Sequence, residues 1–472
     1  VLRRLLTAAC AVVLPLSVLP GAAATKTAPV APPPGAISPG VQFLANIPEL
    51  RSAISIDFLG STMFASTVTG IYAYDVSDPA APKLAGALPQ YIWENEDVEV
   101  DKKRKLLFLS RDPRGFTSPA TTAFPYGAVQ VIDVSNPAAM VQLSMTLLPS
   151  GHTTSCVDGC NYTWTAGPAK GQTQPADWGG RPVFALDMRD PAHPVQCPHP
   201  IDEHRNDGKT DYTHDVQVDK DGIAWVSGSG GVRGYWVSGT HRNAQTGRTQ
   251  KATGCDPVPY AGGGTDLGQL SKGGVMHNSL HPAWNRGVLL ATEEVTVTNC
   301  NTSGRFVTYG LDGSYGGAGF RSTPDKKFRL TELDTWTPEK QPGATGCDSA
   351  HYFTDRGDGI TANAFYSQGT RFLDVRNPKD IKQVAYYRPD DANTWAAYWR
   401  PGGYVFVADF DRGVDVLKVT IGNSGRKLTA PTMPPRSLPN LPSRSFGWMC
   451  QVPASVAATR PELISQKPSF RS

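Results

Sequence analysis

The chain has 472 residues, with 45 lysines and arginines against 42 aspartates and glutamates and a formal charge of +3. That balance offers no basic excess for nucleic acid or an anionic membrane surface, and no run of eighteen apolar residues follows the N-terminus to make a membrane span. The 47 glycines and 40 prolines exceed the ~12% that the two usually reach together, which excludes a coiled coil and fits many turns between short strands.

In chain order, residues 1–24 have the layout of a secretory signal peptide. Arg3 and Arg4 make a charged start, Leu5 to Leu19 an apolar centre, and Ala22-Ala23-Ala24 a small-residue cleavage site. Residues 25–40 (TKTAPVAPPPGAISPG) read as a Pro/Ala-rich linker with too little apolar mass to fold. The fold is expected over residues 41–420, followed by a largely disordered Pro-rich tail over 421–472 with prolines at 431, 434, 435, 439 and 442.

One phrase recurs along the folded part: Tyr74-Asp75-Val76-Ser77-Asp78-Pro79, Ile132-Asp133-Val134-Ser135-Asn136-Pro137, Leu186-Asp187-Met188-Arg189-Asp190-Pro191 and Leu373-Asp374-Val375-Arg376-Asn377-Pro378. Alternating apolar residues lead into it, and the Asp/Asn-Pro step sets a tight turn. Each copy therefore ends one strand and starts the next. The aspartates are 58, 54 and 187 residues apart, and the long gap holds three periods. Gly231–Gly239 and Phe328–Asp334 supply the two degenerate copies within it, and Gly413–Val419 supplies a last one. Seven units with room for four strands each predict an all-β, seven-bladed β-propeller. The seventh unit stops at Val419 without an outer strand, whereas Val41–Asn46 precedes the first unit and resembles the outer strand Lys83–Leu88. The N-terminal strand should close the ring and remove two open sheet edges.

The V-x-V-I-D-V-S-N-P pattern resembles the LVIVD repeat of secreted bacterial seven-bladed propellers. The resemblance covers roughly residues 41–420, strongly in four units and weakly in the fourth, fifth and seventh. It implies the fold and transfers no catalytic residue.

The inner strands carry the chemistry. His214 opens the segment His214-Asp215-Val216-Gln217-Val218-Asp219 eight residues before Gly222; His351 lies eight before Gly359, His152 eight before Cys160, and His277 ten before Gly287. In the second unit Glu96-Asp97-Val98-Glu99-Val100-Asp101 aligns Glu96 with His214, while the seventh unit offers Trp395 and the first Ser52. Equivalent positions of a radial repeat lie on one ring, so these side chains should converge at one mouth of the central channel. Neutral imidazoles suit copper, zinc, iron or nickel, and a carboxylate can complete the shell. His281 and Cys347 are close enough in sequence to contribute. The plainer reading is that each histidine ties neighbouring blades by hydrogen bonds. His193, His199, His204 and His241 read as exposed loop residues. The aspartates of the phrase read as turn-formers, and Asp219–Gly222 and Asp355–Gly359 as hairpin turns rather than calcium loops.

Cys156, Cys160, Cys197, Cys255, Cys300, Cys347 and Cys450 remain once Cys10 leaves with the leader. An exported chain should form disulfides. Cys156–Cys160, around one hairpin, and Cys255–Cys300, in adjacent units, are the pairs suggested, with Cys450 the natural unpaired thiol. No zinc-type CxxC spacing, G-x-S-x-G elbow, HExxH or phosphate loop is present.

Two functions compete on this sequence. One is a secreted, monomeric binding propeller that takes a small molecule, peptide or surface partner at the His-lined mouth, formed by Glu96, His152, His214, His277, His351 and Trp395. The other is a transition-metal oxidoreductase, copper-like or zinc-bearing, that uses the same histidines. Here the histidine ring is similar to that of selenium-binding proteins and methanethiol oxidases, a likeness without matched motifs.

Overall fold

The computed structural model describes residues 32–421 apart from 91–94, 113–126, 169–182, 202–212, 229–230, 244–245, 261–273, 296–303, 312–329 and 339–347. Residues 1–24, read as a leader, most of the segment read as a tail, Cys300, Cys347, Cys450, His204 and the copy start at Phe328 lie outside the described residues.

Seven antiparallel four-stranded sheets follow one another round a central axis. The innermost strands, in blade order, are Ala53–Leu59, Val98–Asp101, Ser150–Val157, Thr213–Val218, Gly274–Leu280, Phe353–Asp355 and Thr394–Arg400. Blades 1 to 6 each run outward in sequence. Blade 7 takes its fourth strand from the N-terminus, since Val41–Ile47 pairs with Gly413–Val419. The expected closure is therefore present, and Asn46 fastens it by donating to Asp415 Oδ1 at 2.8 Å and to the Arg412 carbonyl at 3.0 Å.

Two details differ from the sequence reading. Gly35–Ile37, within the stretch read as linker, pairs with residues Tyr387–Pro389 as a fifth strand of blade 6. Alternation there is too short to stand out from the surrounding prolines. In blade 5 the phrase-like segment ending at Asp334 lies on the outer strand rather than the third. The third strand is Phe306–Leu311, and Leu330–Trp336 is the outer strand.

The recurring phrase has a local physical cause. Its first aspartate ends the third strand and its Oδ1 accepts the N–H two residues on: Ser77 on Asp75, Ser135 on Asp133, Arg189 on Asp187 and Arg376 on Asp374, at 2.8–3.1 Å. The Asp or Asn before proline repeats the device, with Ala80 on Asp78, Ala138 on Asn136, Ala192 on Asp190 and Lys379 on Asn377. Two consecutive side-chain-closed turns thus reverse the chain into the outer strand.

Apolar residues on both faces of each blade pack against the next blade, giving one cluster per blade boundary. Trp164, Val226 and Tyr235 join blades 3 and 4, and Trp225, Leu289 and Tyr309 join blades 4 and 5. Ala45, Ile47 and Phe406 meet Ile56 and Met63 where blade 7 meets blade 1. Cys197–Cys255 also crosses from blade 3 to blade 4, and Cys156–Cys160 closes the first hairpin of blade 3. The second bond is as expected; Cys255 pairs with Cys197 rather than Cys300. Gly254 next to it packs on Tyr162, where an added Cβ would come within 2.3 Å of the ring.

Candidate metal centre at the channel mouth

A bulge recurs near the start of the inner strands. Pairing with the second strand skips Ile54 in blade 1, His214 in blade 4, His277 in blade 5, Trp395 in blade 7 and the Gly151-His152 pair in blade 3. In blades 2 and 6, Glu96 and His351 stand two residues before the first paired residue. A bulge takes a side chain out of the alternation between the two sheet faces, and here it turns that side chain toward the axis. The blade 1 member of this ring is Ile54, not Ser52, because the bulge falls on Ile54 and shifts the register from there.

Four imidazoles meet one carboxylate. The Nε2 atoms of His277, His152 and His214 lie 3.1, 3.4 and 3.5 Å from Glu96 Oε2, and Nε2 of His351 lies 3.4 Å from Oε1. All five side chains are completely buried. His152 and His214 present their Nε2 atoms to each other at 3.2 Å. Ligand atoms of Glu96, His214 and His277 are all within 4.8 Å of one another.

The far side of three rings is anchored. Nδ1 of His152 meets Asp112 Oδ2 at 2.9 Å, Nδ1 of His214 donates to the His277 carbonyl at 3.1 Å, and Nδ1 of His351 donates to the Trp395 carbonyl at 2.6 Å. A ring that donates through Nδ1 turns its Nε2 lone pair to the centre, the arrangement found in metal-ligating histidines. His281, named as a weaker ligand, is elsewhere. Its Nδ1 meets Asp219 at 2.6 Å and its Nε2 the Arg286 carbonyl at 3.1 Å, so neither nitrogen is available to the ring. Trp395 packs beside the ring: its centroid lies 5.2 Å from that of His351, and it joins Ile54, Val68, Tyr366 and Phe410 in an apolar cluster. Of the other histidines, His193 and His199 are exposed as expected, whereas His241 stacks on Trp236 with ring centroids 3.9 Å apart.

Electrostatics divides the ring. Burial alone would raise the Glu96 carboxyl, but the four imidazoles hold it well below its usual range. Burial and neighbouring imidazoles push His214 well down and His277 down to about 3. Against the same burial, Glu96 and Glu294 draw His351 upward. The ring is thus electrostatically uneven, with His351 drawn toward its charged form and His214 and His277 toward their neutral forms.

Several contributors were not singled out in the sequence. Asp112 follows the second strand of blade 2, with nothing local to mark it. Tyr366, whose φ is +39°, donates to Glu294 at 2.6 Å and packs 5.0 Å from the His351 ring. Such a backbone is strained for a bulky residue and holds an aromatic wall beside the centre. Asp57, Asp97, Glu99 and Asp215 lie on or beside the inner strands of blades 1, 2 and 4. Burial and mutual repulsion raise Asp97 well up, Glu99 to about 8 and Asp215, mainly through burial, to about 7. Three of them sit in Glu96–Asp101 and His214–Asp219, where acids alternate with core valines.

Comparison with protein-family descriptions matches the LVIVD repeat at residues 123–145 and 399–420. Among solved structures, the periplasmic gluconolactonase PpgL of Pseudomonas aeruginosa is similar at a TM-score of 0.47 and 14% identity, over 71% of this chain and 86% of that one. The WD40 β-propeller domain of Doa1 is similar at a TM-score of 0.46 and 10% identity, over 80% and 96%. No curated protein matches the sequence. No helix among the described residues is long and apolar enough to cross a membrane.

Proposed function

We propose that this seven-bladed propeller with LVIVD repeats binds one transition-metal ion through Glu96, His214 and His277, with His152 and His351 on either flank. The observation that carries the reading is the convergence of four Nε2 atoms on one buried carboxylate at 3.1–3.5 Å. Ligands about 2.0–2.1 Å from a tetrahedral zinc ion stand roughly 3.3–3.4 Å from one another, so the spacing suits an ion. An organic ligand has no room between nitrogens 3.2 Å apart, which favours a metal over a small molecule as the guest of this ring. The donor set of imidazoles and carboxylate suits copper or zinc, with iron and nickel also compatible. Such an ion supplies Lewis-acid or, for copper, one-electron chemistry. The chain's own residues exclude bulk water and fix the imidazoles by their Nδ1 hydrogen bonds.

Export fits this reading. The two disulfides suit an oxidising compartment, to which the leader over residues 1–24 would deliver the chain.

The test is metal analysis of tag-free protein purified from its native compartment, and again after loading with copper or zinc. One ion per chain, lost in His214→Ala/His277→Ala and retained in His193→Ala, supports the proposal. Substoichiometric metal in both preparations, with a normally folded chain, overturns it. An electron paramagnetic resonance signal from bound copper that disappears on mild reduction and returns in air supports the oxidoreductase form; redox-silent zinc supports the binding form.

A further inference from the structure

The four imidazoles are not anchored alike. Two of them bond the backbone of the next blade. His214 Nδ1 in blade 4 donates to the carbonyl of His277 in blade 5 at 3.1 Å, and His351 Nδ1 in blade 6 to that of Trp395 in blade 7 at 2.6 Å. Both accepting carbonyls belong to bulged residues. By the same pattern His277 would donate to the His351 carbonyl in blade 6, but it does not. His351 precedes its strand rather than sitting on a bulge, and its N–H goes to the Ala364 carbonyl. His152 also departs from the pattern, yet Asp112 gives its Nδ1 a partner. His277 is left as the exception. Its side chain is completely buried, and its Nδ1 has no hydrogen-bond partner. The rings of His351, His214 and Tyr352 pack round it, with centroids 3.9, 4.2 and 4.6 Å away. Its Nε2 makes the shortest of the four approaches to Glu96, at 3.1 Å. A polar atom left alone in a protein interior calls for a cause.

We infer that His277 is the exchangeable ligand of the centre, the ring that yields its place to a small exogenous donor of the size of water, hydroxide or a triatomic anion. The inference rests on the metal reading of the ring. An imidazole that binds an ion through Nε2 carries its proton on Nδ1, and ligating histidines almost always give that N–H an acceptor. His152, His214 and His351 have one. His277 would bury the N–H without one, which weakens its bond to an ion by about 5- to 100-fold against an anchored ring. Centres that act on a substrate keep one position open or replaceable, and the weakest protein ligand is the one that supplies it. The incoming donor has to be small, because the ring is enclosed on both sides by its neighbours. The exchange breaks one nitrogen–metal bond and forms one donor–metal bond, with no change of oxidation state.

Two readouts test this, the first without metal. In metal-free wild-type protein, nitrogen NMR of the imidazoles should show His214 protonated on Nδ1 and His277 on Nε2, each assigned by the loss of its signals in His214→Gln or His277→Gln. A His277 ring protonated on Nδ1 overturns the inference. The second readout uses zinc and copper(II) in chelator competition. His277→Ala should keep one ion per chain and hold it about tenfold or more tighter than His214→Ala. Sodium azide added to copper-loaded wild type should give a saturable azide-to-copper charge-transfer absorption. In His277→Ala, where no imidazole competes, the same band should saturate at about tenfold lower azide. His277→Gln carries the same expectations should the alanine variant not fold. Metal lost in His277→Ala as completely as in His214→Ala, or no azide response with copper bound, overturns the inference and leaves the metal reading standing. A folded wild type that takes up neither metal removes the metal reading, and this inference with it.

Discussion

Nε2 of His152 lies 3.2 Å from Nε2 of His214, although each ring is already held from behind. The His277 carbonyl can only accept, so His214 donates through Nδ1 and its Nε2 carries a lone pair. Asp112 imposes the same state on His152. Two lone pairs at that distance require a proton or a cation between them, and Glu96 beside both supplies the negative charge that retains either one.

Asp112 is therefore expected to act on metal affinity without touching metal. Asp112→Asn should lower affinity about 10–100-fold, the usual effect of removing an outer-shell carboxylate from a ligating histidine. Chelator competition measures this. Unchanged affinity in a folded variant would refute the orienting role.

Ring closure depends on residues 41–47. Deleting 25–33 should leave thermal unfolding unchanged, deleting 25–39 should lower the midpoint modestly through loss of Gly35–Ile37 and the Pro34 carbonyl that accepts from Asp390, and deleting 25–47 should abolish cooperative unfolding. Asn46→Ala should cost about 1–3 kcal/mol, because its bonds to the Asp415 carboxylate and the Arg412 carbonyl are lost while Arg412 still donates to Asp415. A cooperative 25–47 deletion with the full-length midpoint contradicts the closure.

The two disulfides should contribute unequally. In the loop-entropy picture a crosslink over 58 residues stabilises by about 4 kcal/mol and one over 4 residues by about 2 kcal/mol. Urea unfolding of Cys197→Ser/Cys255→Ser against Cys156→Ser/Cys160→Ser compares them. Alkylation before and after reduction checks the pairing; all four cysteines labelling without reduction rules it out.

The repeated turns predict sensitivity to acid. The N–H and hydroxyl of Ser77 lower the Asp75 carboxyl, those of Ser135 lower Asp133, and Arg189 lowers Asp187. Burial opposes, but Arg376 likewise lowers Asp374. A carboxyl depressed in the folded state stabilises above its unfolded value near ~4 and loses that contribution as pH falls through the folded value. The urea midpoint should therefore drop between pH 5 and 3, with a shallower drop when all four are Asn. Equal slopes refute the assignment.

The blade count, the strand closing the ring and the set of four histidines with Glu96 were legible in the sequence because turn chemistry and radial repetition are local and periodic. Asp75, Asp133, Asp187 and Asp374 mark the same turn wherever they occur, and equal positions in a repeat share a ring. The bulges at Ile54, His214, His277 and Trp395 are not periodic signals, since one extra residue shifts the register without changing composition. Residue spacing alone therefore points to Ser52, where the bulge puts Ile54. Asp112 and Tyr366 reach the centre from other strands and loops, and the partner of Cys255 depends on which blade edge lies beside it. Only tertiary packing decided those, and it also decided that four Nε2 atoms face one carboxylate rather than four separate backbones. The sequence determined which side chains encircle the axis; their inward direction came from bulges and Nδ1 hydrogen bonds that form only when the seven blades close.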